Sequence, residues 1–408
     1  MSKAQLKPND LEIGHFVVLP MGWVDHPFMR NQFVISTPEQ LKILKHLKVS
    51  SIDVDLKRST LKKPKVDNTE TAKVSTKKSE PSPEELWQQK QRSNMRDLEQ
   101  DLELQEELFK LAVTQLAMSP TESLQSFKNI LGPALEKVYD QEGPLVLSAI
   151  VAERESEDVF AHSLNCLHLG LVLAKQIKLS RQHAEVFGLA CLCHDLGMLK
   201  IPQNIKRTTQ ELTKQEQSHY RTHPTYSQEM LRKAAVFPKA ILPLSANHQE
   251  FLDGSGFPKG LKQDKISQLT QLLSVVVYFD QWVNPLPSQR AFTAQQALAR
   301  VFKLGGKKLN QNYSKALLQT LGVYPPGSFV KLDDDRIAMV VSTNPSALMQ
   351  PLTQILESGK SLAMAPFVDL QAEGLKIKES FAKEELPSTL QTRLPALPRA
   401  ILQLQINE

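Results

Sequence analysis

The spacing of apolar positions changes character three times along the chain. Up to residue 56 it comes in short β-branched or aromatic runs bounded by turn residues: "HFVVLP", "QFVIS" and "SIDVDL". Such runs predict strands. Between the last two, "PEQLKILKHL" sets Leu41, Ile43, Leu44 and Leu47 at helical spacing. Residues 60 to 84 are rich in Lys, Thr, Ser and Pro and poor in large apolar groups, too little to offset the entropy of ordering. "SPEELWQQ" then opens a helix, with Ser82 as N-cap, Pro83 in the first turn and acids behind it. From there to about residue 322 nearly every segment repeats at helical spacing. Strand patterning returns in "GSFVKLDDDRIAMVVST", two runs around an acidic turn, followed by "LAMAPFVDL" and a polar end. The pattern predicts a mainly α chain in four parts. These are a small β-rich α+β domain over 1–59, a basic flexible linker over 60–84, a helical domain over 85–325, and a C-terminal strand pair with a tail over 326–408.

Charge sharpens this division. The chain carries a net +5, yet residues 57 to 78 hold eight Lys or Arg against two acids. The rest is close to neutral, so the basic balance describes a linker and not a nucleic-acid surface. With 408 residues and 41% apolar content the chain has ample material for a folded core. Neither a leader-like apolar segment at the start nor a run of about 20 apolar residues is present, which predicts no membrane span and a cytoplasmic protein. Three cysteines, Cys166, Cys191 and Cys193, are too few for a disulfide scaffold and point to a reducing compartment. Cys191-x-Cys193 lacks the second pair of a zinc site and reads as two small apolar residues on a buried helix.

Chemistry enters at four stations in the helical region. His162 lies in "FAHSLNCLHLGLVLA", and His194-Asp195 follow in "ACLCHDLGMLKIP". His223 lies in "HYRTHPTYSQEML", and His248 in "SANHQEFLDGSGFP". Imidazole and carboxylate suit zinc, iron or manganese, and helices of a bundle bring such ligands to one point. His168, His183 and His219 read as ordinary core or surface residues.

In this order the motifs resemble the HD-GYP family of bacterial phosphodiesterases, a branch of the HD metal-dependent phosphohydrolases that hydrolyse cyclic di-GMP. "HDLGMLKIP" resembles HD-x-G-K-x-x-I-P, "ELTKQE" resembles L-T-x-x-E, and "HQEFLDGSGFPKGL" resembles H-H-E-x-x-D-G-x-G-Y-P-x-G-L. "GWVDHPFMRNQFVIS" and "IDVDLKRS" are similar to the small domain often found ahead of such modules. The resemblance implies an HD-type helical bundle around two divalent ions, iron or manganese, with His162, His194, Asp195, His223 and His248 as ligands. Asp195 would bridge the ions, and Asp195 with His194 would be catalytic. Gly254, Gly256, Phe257 and Pro258 would lie beside the substrate, and Arg290 would contact phosphate.

The departures fall on reacting parts. Gln249 stands for the family's second His, Val277 for its late Asp ligand, and Met198 for the Lys of HD-x-G-K. Phe251 stands where an Arg is common, and Lys200 is two residues off the Lys position. Asp280, one helical turn beyond Val277, is the nearest carboxylate. Attenuated hydrolysis of cyclic di-GMP is the expectation; the alternative is a degenerate domain that senses the nucleotide or docks on other cyclic di-GMP signalling proteins. The helix from residue 83 to about 117 is expected either to pack within the chain or to form a homodimer contact.

Overall fold

A computed structural model describes residues 3–19, 32–35, 41, 44–45, 51–55, 59, 81–142, 145–153, 159–357, 364–391 and 398–406. The chain divides into two compact units, Met1–Ser79 and Glu80–Glu408. In the first, strands β1 (Lys3–Leu6), β2 (Phe16–Val18), β3 (Gln32–Val34) and β4 (Ile52–Asp55) form an antiparallel sheet in the order β1-β4-β2-β3. In β4 the period of two is plain, because Ile52 and Val54 are buried while Asp53 and Asp55 are not. These two residues join Leu11, Val17, Ile35 and Leu44 in a small core. Most of the helix expected over 38–47, and nearly all of the linker expected over 60–84, lie outside the described residues.

The second unit opens with α1 (Pro83–Gln115), capped as its sequence predicts. Ser82 Oγ accepts from Glu85 N–H at 3.2 Å, and Glu85 Oε2 accepts from Ser82 N–H at 2.8 Å. α2 (Pro120–Leu135) packs on α1. Next comes a departure from the helical pattern: Leu145–Glu153 is a strand, β5. Its "LVLSAIVAE" is an almost continuous apolar run, which periodicity alone does not separate from a buried helix. The bundle resumes with α3 (Val159–Gln176), α4 (Arg181–Cys193), a 3-10 turn (Leu196–Lys200), α5 (Gln203–Arg207) and α6 (Lys214–Tyr220). α7 (His223–Ala234), α8 (Ile241–Asn247), α9 (Gln268–Val283), α10 (Ala294–Leu304) and α11 (Gln311–Leu321) complete it.

The C-terminal region holds β6 (Phe329–Leu332), β7 (Ile337–Ser342), β8 (Leu352–Ile355), β9 (Phe367–Asp369), β10 (Ile377–Phe381) and β11 (Pro398–Ile406). The acidic turn between β6 and β7 stands where the sequence puts it. The expected strand pair and tail are replaced by something larger. β5 joins these six strands in one seven-stranded sheet, with the path β10-β6-β7-β5-β11 and β8 and β9 branching from β7. β11 pairs with β5 over its whole length, from Pro398↔Glu153 to Ile406↔Leu145. The main core lies in the bundle, where α3 is buried from Phe160 to Leu171 and Phe109 meets Phe127 and Phe160 edge-on. The unit is mainly α. Among the described residues no helix is long and apolar enough to cross a membrane.

Candidate metal centre

Four elements deliver the candidate ligands to one buried place. His162 sits in the first turn of α3; His194 follows the end of α4 and leads into Asp195. His223 begins α7, and His248 follows the end of α8. All five are buried, His194, His223 and His248 fully. Gly197 of the 3-10 turn allows the close approach of α7. A Cβ there would stand 2.0 Å from the His223 carbonyl oxygen. Instead Gly197 N–H donates to Ser227 Oγ at 2.8 Å.

The hydrogen bonds fix which nitrogen carries the proton. Nδ1 of His194, His223 and His248 lies 2.9, 2.7 and 2.8 Å from the carbonyl oxygens of Cys191, Tyr220 and Ser245. A carbonyl only accepts, so each Nδ1 donates and each Nε2 presents a lone pair. His162 Nδ1 donates to Asp280 Oδ2 at 2.6 Å, with the same result. These Nε2 atoms face one another: His162 to His194 at 3.1 Å, His223 to His248 at 3.3 Å. Asp195 Oδ1 lies 3.3 Å from His223 Nε2 and 3.6 Å from His248 Nε2, and no geometrically well-formed hydrogen bond reaches it among the described residues. Five atoms able to bind a metal thus converge. Two nitrogens bound to one ion at about 2.0–2.2 Å stand about 2.8–3.6 Å apart at angles between 90° and tetrahedral, a range that includes the spacings seen here.

Electrostatics agree. Burial lowers His194 well below the usual imidazole range, and His248 adds to this. Burial also takes His223 down to about 4. Burial by itself would raise the Asp195 carboxyl, but its interactions with His223, His248 and His194 outweigh it and lower the group. An ionised carboxylate beside imidazoles of lowered basicity is a donor set that suits a divalent cation. The residues present fit such an ion, and the protein carries His/Asp groups able to hold metal.

The departures from the family pattern now have structural readings. Val277 is fully buried in the apolar core of α9. Asp280 does not join the ligands; its oxygens accept from His162 Nδ1, Asn165 Nδ2 and Asn284 Nδ2 at 2.6, 2.6 and 2.8 Å. It holds His162 in orientation. Asn165 Oδ1 in turn accepts from Leu402 N–H of β11 at 2.6 Å. Gln249 is buried, with Nε2 unpartnered among the described residues. Met198 packs with Ile201 and Ile205, and Lys206 Nζ donates to its carbonyl at 3.2 Å. Lys200 Nζ stands over the Tyr226 ring, 5.3 Å from its centroid.

Of the expected substrate loop, Phe257 reaches the centre: its ring meets His223 edge-on at 5.9 Å, and Pro258 follows through a cis peptide. Gly256 is required by packing, since a Cβ would lie 2.3 Å from Phe251 N and 2.6 Å from Gln249 O. Gly254 adopts a φ of +83°, which favours glycine. Arg290 is not brought in; it is exposed and stands over Phe292, 6.0 Å from the ring centroid. Arg221 is placed closer, over the Phe257 ring at 5.5 Å. The sequence marks Asp280 as the carboxylate nearest Val277 but shows no partner for it, and it assigns Glu250 no role of its own. Glu250 is in fact buried, and its two oxygens accept from Lys259 N–H at 2.7 Å and Leu261 N–H at 2.9 Å, bracing the loop.

Comparison with known proteins agrees with this geometry. Residues 146–311 match the family model described as an HD domain, and residues 3–130 match a domain of unknown function, DUF3391. A cyclic di-GMP phosphodiesterase of Pseudomonas aeruginosa is 25% identical over 390 residues, covering 90% of this chain and 88% of the relative. A cyclic di-GMP phosphodiesterase response regulator of Xanthomonas campestris pv. campestris is 28% identical over 153 residues, 37% of this chain and 40% of the relative. A 3'3'-cGAMP-specific phosphodiesterase of Vibrio cholerae is 29% identical over 128 residues, 31% of this chain and 28% of the relative. HD phosphohydrolases are metal-dependent, and the HD-domain match and the cyclic di-GMP phosphodiesterase relatives, with the H-D pair, buried imidazoles and DGSGFP loop, support an HD-GYP family member.

Proposed function

We propose that this protein is a metal-dependent phosphodiesterase that hydrolyses cyclic di-GMP to the linear dinucleotide or GMP, using two divalent ions, iron or manganese. His162, His194 and Asp195 would hold one ion, and Asp195, His223 and His248 the other, with Asp195 bridging. The observation that carries this reading is the convergence of Asp195 Oδ1 and four imidazole nitrogens in one buried place, a donor set suited to divalent cations. When bound, such ions polarise phosphodiester oxygens and lower the pKa of water. The chain's own residues do the rest. The Cys191, Tyr220 and Ser245 carbonyls lock three imidazoles in their metal-ready tautomer. Asp280 orients the fourth. Phe257 and Arg221 form an aromatic and cationic wall beside His223, suited to a purine base and its phosphate.

The test is metal content of the purified full chain, followed by turnover of cyclic di-GMP, with 3'3'-cGAMP in parallel, under added Mn²⁺ or Fe²⁺. Bound metal with turnover, abolished by His194→Ala, supports the proposal. A chain that takes up no metal at saturation sinks it, and preference for the hybrid dinucleotide reassigns the substrate.

One observation favours a second reading, nucleotide sensing or docking on cyclic di-GMP signalling proteins without turnover. Met198 occupies the phosphate-contacting position and packs among apolar side chains, and the nearby Lys206 Nζ donates to the Met198 carbonyl at 3.2 Å. Metal and nucleotide binding without hydrolysis would identify it.

A further inference from the structure

We propose that Cys166 is an additional ligand of the centre, a thiolate that joins His162 and His194 in a half-site suited to zinc or iron(II) over manganese. The inference rests on the metal reading above and deepens it. Cys166 lies one turn after His162 on α3 and is fully buried. Its Sγ is 3.8 Å from His162 Nε2, and ligand atoms of Cys166, His162 and His194 all lie within 4.8 Å of one another. With metal–sulfur near 2.3 Å and metal–nitrogen about 2.0–2.1 Å, sulfur and nitrogen on one ion stand about 3.6–3.8 Å apart at tetrahedral to trigonal angles. The cysteine therefore needs little movement to share an ion with His162.

Charge gives the second argument. Four neutral imidazoles and Asp195 bring one anion to a centre for two divalent cations. At Val277, where the family pattern has a carboxylate, the chain has an apolar side chain that cannot bind metal. Cys166 restores a second anion to the His162 side, and thiolate is the softer donor, favouring zinc and iron over manganese. On binding, the thiol proton leaves to solvent and a metal–sulfur bond forms, with no change of oxidation state. The competing arrangement is a thiol that merely donates its S–H to His162 Nε2 in an apolar core.

The two are separated by loading the full chain with Co²⁺. A thiolate ligand gives an intense near-ultraviolet sulfur-to-cobalt charge-transfer band. It should be present in the wild type, lost in Cys166→Ser and retained in Cys191→Ser and Cys193→Ser. Selectivity for zinc over manganese should fall roughly tenfold or more in Cys166→Ser. X-ray absorption of the zinc-loaded wild type, which needs no variant to fold, should show a sulfur neighbour at about 2.3 Å. Cobalt uptake with a shell of nitrogen and oxygen alone overturns the role of Cys166 and leaves the metal centre standing. Failure to take up cobalt or zinc overturns both.

Discussion

Replacing Gly197 by alanine should disable the centre from outside the set of ligands. The added methyl would stand 2.0 Å from His223 O and 2.6 Å from Ser227 N, both backbone atoms of α7. A carbon–oxygen contact relaxes at about 3.3 Å or more, so the His223 backbone must retreat by roughly 1.3 Å. Metal ligation tolerates displacements of about 0.2 Å. The shift also breaks the Gly197 N–H bond to Ser227 Oγ, whose hydroxyl donates to His223 O at 3.1 Å. His223 should leave the ion it shares with Asp195 and His248. Loss of affinity should exceed the roughly 10–100-fold typical of changes behind the ligands, and overpacking should cost the fold about 1–3 kcal/mol. The assay is metal content by mass spectrometry after dialysis at buffered free metal, beside urea melts of the metal-free protein. Wild-type affinity within about threefold, with unchanged stability, would refute the reasoning.

Three further outcomes are expected. Asp280→Asn places an amide donor among His162 Nδ1, Asn165 Nδ2 and Asn284 Nδ2, all of which donate, so metal affinity should fall about 10–100-fold; an unchanged titration would show that Asp280 does not orient His162. Glu250→Gln puts a donor against the Lys259 or Leu261 N–H, costing about 1–3 kcal/mol and raising KM while metal content stays constant; if KM holds, the loop does not face substrate. His168, whose Nε2 meets Gln105 Oε1 at 3.4 Å, is pushed down to about 3 by burial, with Lys137 adding to the shift. Its unfolded value is near 6.5, so the unfolded chain gains the proton first and stability falls as pH drops from about 6.5 towards 3. Between pH 7 and 5 this one group should remove about 2 kcal/mol, and His168→Gln should lose that share of the pH dependence in urea midpoints. Parallel pH profiles for the two proteins would contradict it.

What could be read in the sequence follows from how local each signal is. The H-D pair, the DGSGFP turn and the capping box at Ser82 are short motifs whose geometry is set within a few residues, and each stands where its pattern put it. β5 was hidden because nine apolar-rich residues suit either a buried strand or a buried helix, and its partner β11 lies some 250 residues away. Long separation also hid the roles of Asp280 and Asn165, whose partners in α3 and β11 lie 118 and 237 residues away. Arg290, expected to contact phosphate, follows a Pro-rich stretch whose path local pattern does not fix, and it stands over Phe292 while Arg221 stands over Phe257.

The bond from Leu402 N–H to Asn165 Oδ1 makes the last strand part of the support behind His162, by way of Asp280. A fragment trimmed to the matched stretch 146–311 would discard that strand and strip β5 of its neighbour. Asn165 would lose the backbone donor that steadies its amide, and the carboxylate it braces would be held by one fewer fixed contact. Inactivity in such a minimal fragment would therefore report on the scissors and say nothing about the enzyme.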